Sequence, residues 1–201
     1  MKKITSLIGI ALLTLFLASC RTIVPTGIVI SDDREIKGFS HIRFRNFFGN
    51  VNIYPGADYK VTIITDDNIH NIISTRFNGD LLEIGIKNLN TTRYFSATQL
   101  QIDIHLPELN SIYSQGGTEQ ITIFDGNARD LSINLSGASS IDSKNYEVQN
   151  LTITNSGVGD ARIWVTDVLL IRRLSSTGNI FYKGNPKINL NYSVGNIIPT
   201  L

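Results

Sequence analysis

The chain has 201 residues, with 18 basic and 17 acidic side chains and a net charge of +1. This balance excludes an electrostatic nucleic-acid binder, which needs clustered Lys and Arg, and it offers no basic attraction to anionic lipid headgroups. A single cysteine excludes any internal disulfide framework.

The first twenty residues, MKKITSLIGIALLTLFLASC, have the organisation of a bacterial export signal. Lys2 and Lys3 precede an apolar run over 4–18, which is shorter than the ~20 residues of a membrane-spanning helix. The run ends in LASC, which resembles the lipobox of bacterial lipoproteins. This resemblance implies cleavage before Cys20 and acylation of that residue. The alternatives are an ordinary signal peptide with a chance cysteine and an N-terminal anchor that is never cleaved.

We therefore expect three regions. Residues 1–19 are a signal peptide, 20–35 are a lipidated N-terminus and tether, and 36–201 form a single domain. Cleavage removes two lysines and no acidic residue, which leaves a net charge of about −1. We expect an outer membrane lipoprotein of the cell envelope, attached through its acyl chains, and the sequence leaves open which side of the membrane it faces.

Apolar residues alternate with polar ones at two-residue intervals after residue 20, as in LQIDIHL at 100–106. Such alternation is typical of half-buried strands, and the breaks between them are rich in Gly, Asn, Asp and Ser, which favour turns. No segment of this region has a convincing helical period. The sequence therefore predicts an all-β protein.

A longer period runs through the C-terminal half. The segments GGTEQ, GASSI, GVGDA, STGNI and SVGNI align on anchors 17 to 22 residues apart: Gly117, Ser139, Gly159, Gly178 and Gly195. A period near 20 with aliphatic residues in phase predicts stacked coils that bury a common core. We expect a glycine corner in each coil at Gly49, Gly117, Gly159, Gly178 and Gly195, with Gly178 at positive φ.

The repeats resemble a known family. LSINLSGASSI, LTITNSGVGDARI and SSTGNIFYKGNPKI look like the serine- and glycine-rich repeats of the putative auto-transporter adhesin, head GIN domain family. The run FRNFFGNVNIYPGADYKVTIITDDNI at 44–69 is similar to that family's opening, so the resemblance covers about residues 36–198. It implies a short right-handed parallel β-helix in secreted or surface proteins that are often lipoproteins. It transfers no catalytic or binding residue, and the chain departs from the motif at Ser139, Ser140, Arg172 and Arg173.

The ionisable residues give weak candidates for chemistry. The histidines lie far apart without zinc spacing: His41, His70 and His105. Asp103 and His105 share one face of a strand, and a solvated face is the simpler interpretation because no nucleophile or third partner accompanies them. Asp66 and Asp67 either bind a cation or begin a turn. A calcium site at the Gly-Asn corners is the alternative to a structural corner. A carboxylate follows only one of the five anchors, which disfavours calcium. We expect no metal and no cofactor.

A polysaccharide lyase is the enzymatic alternative, because that chemistry also occurs on parallel β-helices. Its clustered carboxylates are missing here, since Asp142, Asp160 and Asp167 are scattered, and we expect no enzyme. The aromatic residues of the repeats either stack on sugars or fill corners: Tyr146, Trp164, Phe181 and Tyr182.

Two functional hypotheses follow. The first is a binding module that presents a polar surface to a glycan or an envelope protein. The second is a structural spacer of the envelope without a ligand. We expect a monomer, because Pro199 would blunt pairing at the last coil.

The repeat also predicts a register. The residue three beyond each anchor should face outward, so Asp142, Arg162 and Phe181 should form one column. Successive coils of a parallel stack lie about 4.8 Å apart, so Arg162 should contact a carboxylate on one side and an aromatic ring on the other.

The lipidation prediction can be tested directly. Cys20→Ser removes the acylation site, so we expect the variant to leave the membrane fraction, as measured by fractionation after a high-salt wash. If the variant stays with the membranes, the lipoprotein interpretation is wrong.

Overall fold

The computed structural model describes residues 21–87, 92–175 and 177–200. The predicted signal peptide and the predicted lipidation residue, Cys20, lie outside the described residues. Secretion and lipidation therefore stay predictions.

Strands make up most of the described chain, with a short 3-10 helix at His70–Ile72. The all-β prediction is confirmed. The strands are β1 (Arg21–Ile23), β2 (Val29–Arg34), β3 (His41–Arg45), β4 (Phe48–Pro55), β5 (Lys60–Asp66), β6 (Ile73–Asn78), β7 (Leu81–Ile86), β8 (Thr92–Phe95), β9 (Leu100–Leu106), β10 (Ser111–Gln115), β11 (Thr118–Ile123), β12 (Gly126–Leu135), β13 (Ser140–Asn155), β14 (Ala161–Leu174), β15 (Ile180–Lys183), β16 (Lys187–Leu190) and β17 (Ile197–Pro199).

All of these strands except β1 and β8, which pair with each other, join one sheet. The sheet bends so that its strands lie in two rows. Row A has the order β6-β7-β3-β10-β12-β13-β14-β16. Row B has the order β2-β5-β9-β4-β11-β13-β14-β15-β17. The long strands β13 and β14 pass through both rows, since the start of β13 pairs with β11 and the rest with β12.

The C-terminal half is stacked in parallel at the predicted spacing. Ile141 pairs with Ala161, Ala161 with Ile180, and Ile180 with Ile197, at intervals of 20, 19 and 17 residues. Ile141, Ala161 and Ile180 are at most 1% exposed. Each buried isoleucine of this inner column contributes roughly 1.5–3 kcal/mol, so the stacked strands bury a continuous core that no single repeat could form.

The sheet as a whole is mixed, which corrects the prediction of a parallel β-helix over residues 36–201. Strand β5 pairs antiparallel with β2 and β9, and β6 pairs antiparallel with β7. Two-residue alternation is the same in parallel and antiparallel strands, so the apolar pattern could not distinguish them. Gly79, at φ 66°, lies in the tight turn that joins β6 to β7 and permits a hairpin there. Strand β2 also places part of the predicted tether in the sheet.

The corner glycines correct the predicted alignment in one place. Gly49 pairs with Glu119, and the same column continues through Ser139, Gly159 and Gly178. Gly117 lies in a neighbouring column, where it pairs with Gly137. The predicted anchor, Gly117, therefore lies two residues before Glu119, which occupies this position in the column. Gly195 falls in the first column, next to Gly178 in the register of β15 and β17.

The predicted positive φ of Gly178 is wrong. Gly49 has a φ of 110°, whereas Gly117, Gly159 and Gly178 lie outside the left-handed region. Close stacking requires a glycine at these corners instead. A Cβ on Gly178 would come within 3.0 Å of the carbonyl oxygen of Gly159, and a Cβ on Gly159 would meet the carbonyl of Ser139 in the same way. The stacked backbones approach so closely here that Gly159 and Gly178 have no room for a side chain.

The two arginines that depart from the repeat motif lie on the outside. Arg172 and Arg173 are exposed, and Leu174 is fully buried. The register between β13 and β14 shifts at Ile153 and Thr154, which returns the chain to the core at Leu174.

The stacking constraint predicts the effect of a single methyl group. Gly178→Ala places a Cβ against the Gly159 carbonyl, so we expect it to lower the free energy of unfolding by about 1–3 kcal/mol. Gly56→Ala is the matched control, because a Cβ there meets nothing within 4 Å, and it should change stability by less than about 0.5 kcal/mol. Equal thermal midpoints for the two variants would show that the coils are not in contact at this corner.

Candidate functional site

The predicted outer column on row B is confirmed. Asp142 pairs with Arg162, and Arg162 pairs with Phe181, on three neighbouring strands. The Arg162 guanidinium carbon lies 5.2 Å from the centre of the Phe181 ring. Asp142 instead forms its ion pair with Lys144, at 3.3 Å between the nitrogen and the carboxylate oxygen.

The repeated Gly-Asn pairs build a hydrogen-bonded ladder one position before the inner column. The side-chain nitrogen of Asn196 donates to the side-chain oxygen of Asn179 at 2.9 Å, and the side-chain nitrogen of Asn179 donates to the Asp160 carboxylate at 3.1 Å. The Ser140 hydroxyl donates to Gln120 at 2.5 Å. These side chains satisfy one another, so the Gly-Asn motif is accounted for by stacking. Across residues 21–87, 92–175 and 177–200, no group of three His, Cys, Asp or Glu side chains could hold a metal ion.

The other sequence candidates are not brought together. Asp103 accepts hydrogen bonds from Asn52 at 2.9 Å and from Gln101 at 2.8 Å. His41 contacts the Ser111 hydroxyl, and His70 contacts the carbonyl of Ile30. Each candidate therefore has structural partners of its own.

Asp66 holds the chain near β2. Its carboxylate accepts hydrogen bonds from the Thr98 hydroxyl, the Thr98 amide and the Gly27 amide. Burial opposes ionisation of Asp66, but these hydrogen bonds outweigh it and lower the pKa of the carboxyl. Asp67 accepts a hydrogen bond from the Thr26 hydroxyl at 2.5 Å. The pair fastens the segment before β2 rather than forming an open cation site.

Sequence reasoning missed a buried acidic side chain. Glu119 is 0% exposed, and its carboxylate accepts hydrogen bonds from the hydroxyls of Ser114 and Ser139. Its other oxygen, Oε1, has no hydrogen-bond partner in the described part of the chain. Its position in the glycine column could have signalled this, because a side chain in that column must fold inward or clash. The cluster is closed to ligands.

An aromatic stack on row B was also missed. Tyr54 lies 4.7 Å from the His105 ring and 4.5 Å from the Phe124 ring, between ring centres, with nearly parallel planes. All three residues directly follow a buried isoleucine, and that shared position was the available signal. Burial and the nearby charge of Asp103 raise the pKa of Tyr54. The rings largely cover one another's faces, so the stack is mainly structural.

A bulge in β13 opens a groove on row B. Ser143 pairs with Ile163 and Glu147 pairs with Trp164, so residues 144–146 have no partner on β14. Tyr146 turns into the core, where it is 1% exposed, while Lys144 and Asn145 are exposed. The space beside the bulge has a volume of about 400 Å³, and we call it the basic groove. It is lined by Lys144, Asn145, Arg162, Ile163, Phe181, Lys183 and Thr200.

The basic groove has three cations and no acidic residue in its lining. Lys144 is paired with Asp142, but Arg162 and Lys183 have no carboxylate within 4.0 Å among the described residues. Their partners are rings: Arg162 lies over Phe181, and the Lys183 ammonium lies 3.6 Å from the centre of the Trp164 ring. Such contacts contribute about 0.5–1 kcal/mol each at exposed sites and leave the positive charge uncompensated.

The four aromatic residues of the repeats have different surroundings in the structure. Tyr146 is a core residue that anchors the bulge, and Phe181 lines the basic groove with Trp164 beside it. Tyr182 packs against the core from a half-buried position. The bulge could not be predicted from the residues alone, because it arises from a register shift between β13 and β14.

Residues 119–186 match the family model described as the putative auto-transporter adhesin, head GIN domain, which confirms the resemblance of the repeats. Among solved structures, a putative adhesin from Bacteroides fragilis is similar at 22% identity and a TM-score of 0.57, covering 89% of this chain and 100% of that chain. A putative adhesin and a putative lipid binding protein, both from Parabacteroides distasonis, have identities of 16% and 15% and TM-scores of 0.42 and 0.43, each covering 90% of this chain and 100% of that chain. No curated protein matches the chain. The first likeness establishes the fold alone, and the other two are too weak to support an inference.

The buried anchor of the bulge can be tested by pH. Burial, aided by the charge of Glu108, raises the pKa of Tyr146 to about 12 from an ordinary value of 10.0. As pH rises, the phenol therefore ionises in the unfolded chain before it ionises in the folded protein. The free energy of unfolding falls as pH rises from about 10 to about 12. We expect Tyr146→Phe to lose less thermal stability than wild type between about pH 10 and pH 12, measured by circular dichroism.

Tyr192→Phe, at an exposed tyrosine, is the control and should follow the wild-type pH dependence. If Tyr146→Phe also follows it, Tyr146 is not the buried anchor of the bulge.

Proposed function

We propose that this protein is a lipid-anchored binding module of the bacterial cell envelope, and that the basic groove holds a glycan. The observation that carries the proposal is the pair of cations, Arg162 and Lys183, that line a concave space without a carboxylate partner in the described residues. Ligand pockets combine apolar and aromatic walls with a few polar groups that fix orientation, and the basic groove has this composition. The description of the matched family as a putative adhesin agrees with a binding role.

The proposed location rests on the N-terminal sequence. The export signal and the LASC motif support acylation of Cys20 and attachment to the outer membrane. No helix in the described residues is long and apolar enough to span a membrane. Strand β1 begins at Arg21 and pairs with β8 in a separate two-stranded sheet, so an acylated Cys20 would directly precede a paired strand. The domain would then lie close to the membrane surface.

The proposed role also gives a purpose to the stacked coils. We interpret residues 111–199 as a short right-handed parallel β-helix, whose coils share strands β13 and β14 between two rows. Parallel strand pairs hold each coil to its neighbours, apart from the interruptions in the pairing of β13 with β14, and they stiffen the stack. A rigid support keeps Lys144, Arg162 and Lys183, which come from three different coils, in a fixed arrangement before any ligand arrives.

A structural spacer is the second candidate, and the side-chain ladder favours it. The contacts from Ser140 to Asn196 satisfy the outer surface internally, as expected of a wall that binds nothing. The spacer does not account for the uncompensated charge of the basic groove. An enzyme is the remote third candidate, and the expectation that the chain is not an enzyme stays a prediction.

A glycan array tests the proposal against the spacer. We expect the purified full chain to bind a subset of glycans, and Asn145→Phe to abolish that binding by filling the basic groove from its exposed wall. Asn78→Phe is the matched control, because Asn78 is an exposed residue of β6 and lies outside the groove lining. Its binding should equal that of wild type.

Two results would contradict the proposal. An array on which the wild-type chain binds no glycan favours the spacer. Glycan binding that survives Asn145→Phe places the ligand somewhere other than the basic groove.

A further inference from the structure

We infer that the basic groove selects an anionic glycan, namely an oligosaccharide that carries the carboxylate of a uronic acid. This inference rests on the proposed function and names the class of its ligand. The chain as a whole is close to neutral, so the charge of the groove is a local property and not part of a general basic surface.

The positive charge is concentrated by the stacking of three coils. Lys144 comes from β13, Arg162 from β14 and Lys183 from β15, and all three line the same space. Asp142 compensates Lys144 from outside the lining, at 3.3 Å. Arg162 and Lys183 form no ion pair among the described residues, so an anion that enters the groove gains attraction from both. A neutral ligand of the same shape gains none.

Arg162 has the geometry to bind a carboxylate. Its side chain donates no hydrogen bond to the protein within the residues that the structure describes, and its contact is with the Phe181 ring. A guanidinium presents its N–H donors as a planar fork that matches the two oxygens of a carboxylate. The ring holds the guanidinium in place without using those donors. Arg162 is therefore the residue that we expect to bind the acid group of the ligand.

The rest of the lining indicates a sugar rather than a simple anion. Phe181 gives apolar surface for the C–H face of a pyranose ring, while Asn145 and Thr200 can exchange hydrogen bonds with its hydroxyl groups. Inorganic phosphate would leave the apolar surface of Phe181 unused. A volume of about 400 Å³ lies in the lower part of the range of small-molecule pockets, which suits one or two sugar residues.

Uronate trimers and their methyl esters give a direct test, because esterification removes the charge and keeps the sugar. Galacturonate, glucuronate and mannuronate trimers would each be titrated into the purified full chain. Fluorescence of Trp164, the single tryptophan, reports on the groove, and calorimetry gives the affinity. We expect at least one trimer to bind, with its methyl ester at least about tenfold weaker, the loss expected for one charge-assisted hydrogen bond. Binding should weaken as salt is raised, because added ions screen the attraction.

Variants assign the effect to the groove. Arg162→Gln should weaken trimer binding by about tenfold, and Arg162→Lys, which keeps the charge and loses the fork, should fall between it and wild type. Arg76→Gln is the matched control, since it removes one exposed arginine on β6, outside the groove. It should bind like wild type. All four proteins should share one thermal midpoint to within a few degrees, because the Arg162 side chain is exposed.

The outcomes separate this inference from the proposed function. Equal affinity for trimers and esters, or binding of neutral glycans alone, overturns the anionic ligand and leaves the groove as a glycan site. Trimer binding that Arg162→Gln does not weaken, or competition by inorganic phosphate at equal concentration, also overturns it. A chain that binds neither the trimers nor any glycan on an array contradicts both the inference and the proposed function.

Discussion

The structure depends on one constraint: equivalent residues of successive coils lie directly above one another, about 4.8 Å apart. Inside, the constraint aligns Ile141, Ala161 and Ile180 into a buried column. At the corner it brings the backbones so close that Gly159 and Gly178 have no room for a side chain. Outside, it places like residues in contact, which turns repeated asparagines into a ladder and repeated aromatic residues into a stack. Most of the repeat is therefore explained by stacking alone.

The candidate site lies where this regularity fails. Three residues of β13 have no partner on β14, and the wall of the groove is made from that interruption. Tyr146 fills the core behind it, so the bulge is an ordered feature held by a buried ring. On either side the outer polar groups pair with one another, whereas Arg162 and Lys183 contact rings. Surface charge that forms no ion pair within the fold is available to a ligand.

The sequence could predict what depends on periodicity and could not predict what depends on register. Alternation identified the strands, and the 20-residue period aligned Asp142, Arg162 and Phe181 correctly. The antiparallel pairing of β2, β5 and β6 could not be predicted, because the direction of pairing does not change the apolar pattern of a strand. The reason predicted for a glycine at position 178 was wrong. A glycine that avoids a steric clash cannot be distinguished in sequence from one that adopts a positive φ. The basic groove could not be predicted because it depends on the register shift between β13 and β14.

The central claim is that the basic groove is where this surface binds a ligand. The most direct test is amide chemical-shift mapping of the isotope-labelled protein during a stepwise titration with an oligosaccharide that binds to it. We expect the largest changes in chemical shift at Lys144, Arg162, Phe181 and Lys183. Changes centred instead on the His105–Tyr54–Phe124 stack, or on the exposed strands β16 and β17, would contradict it.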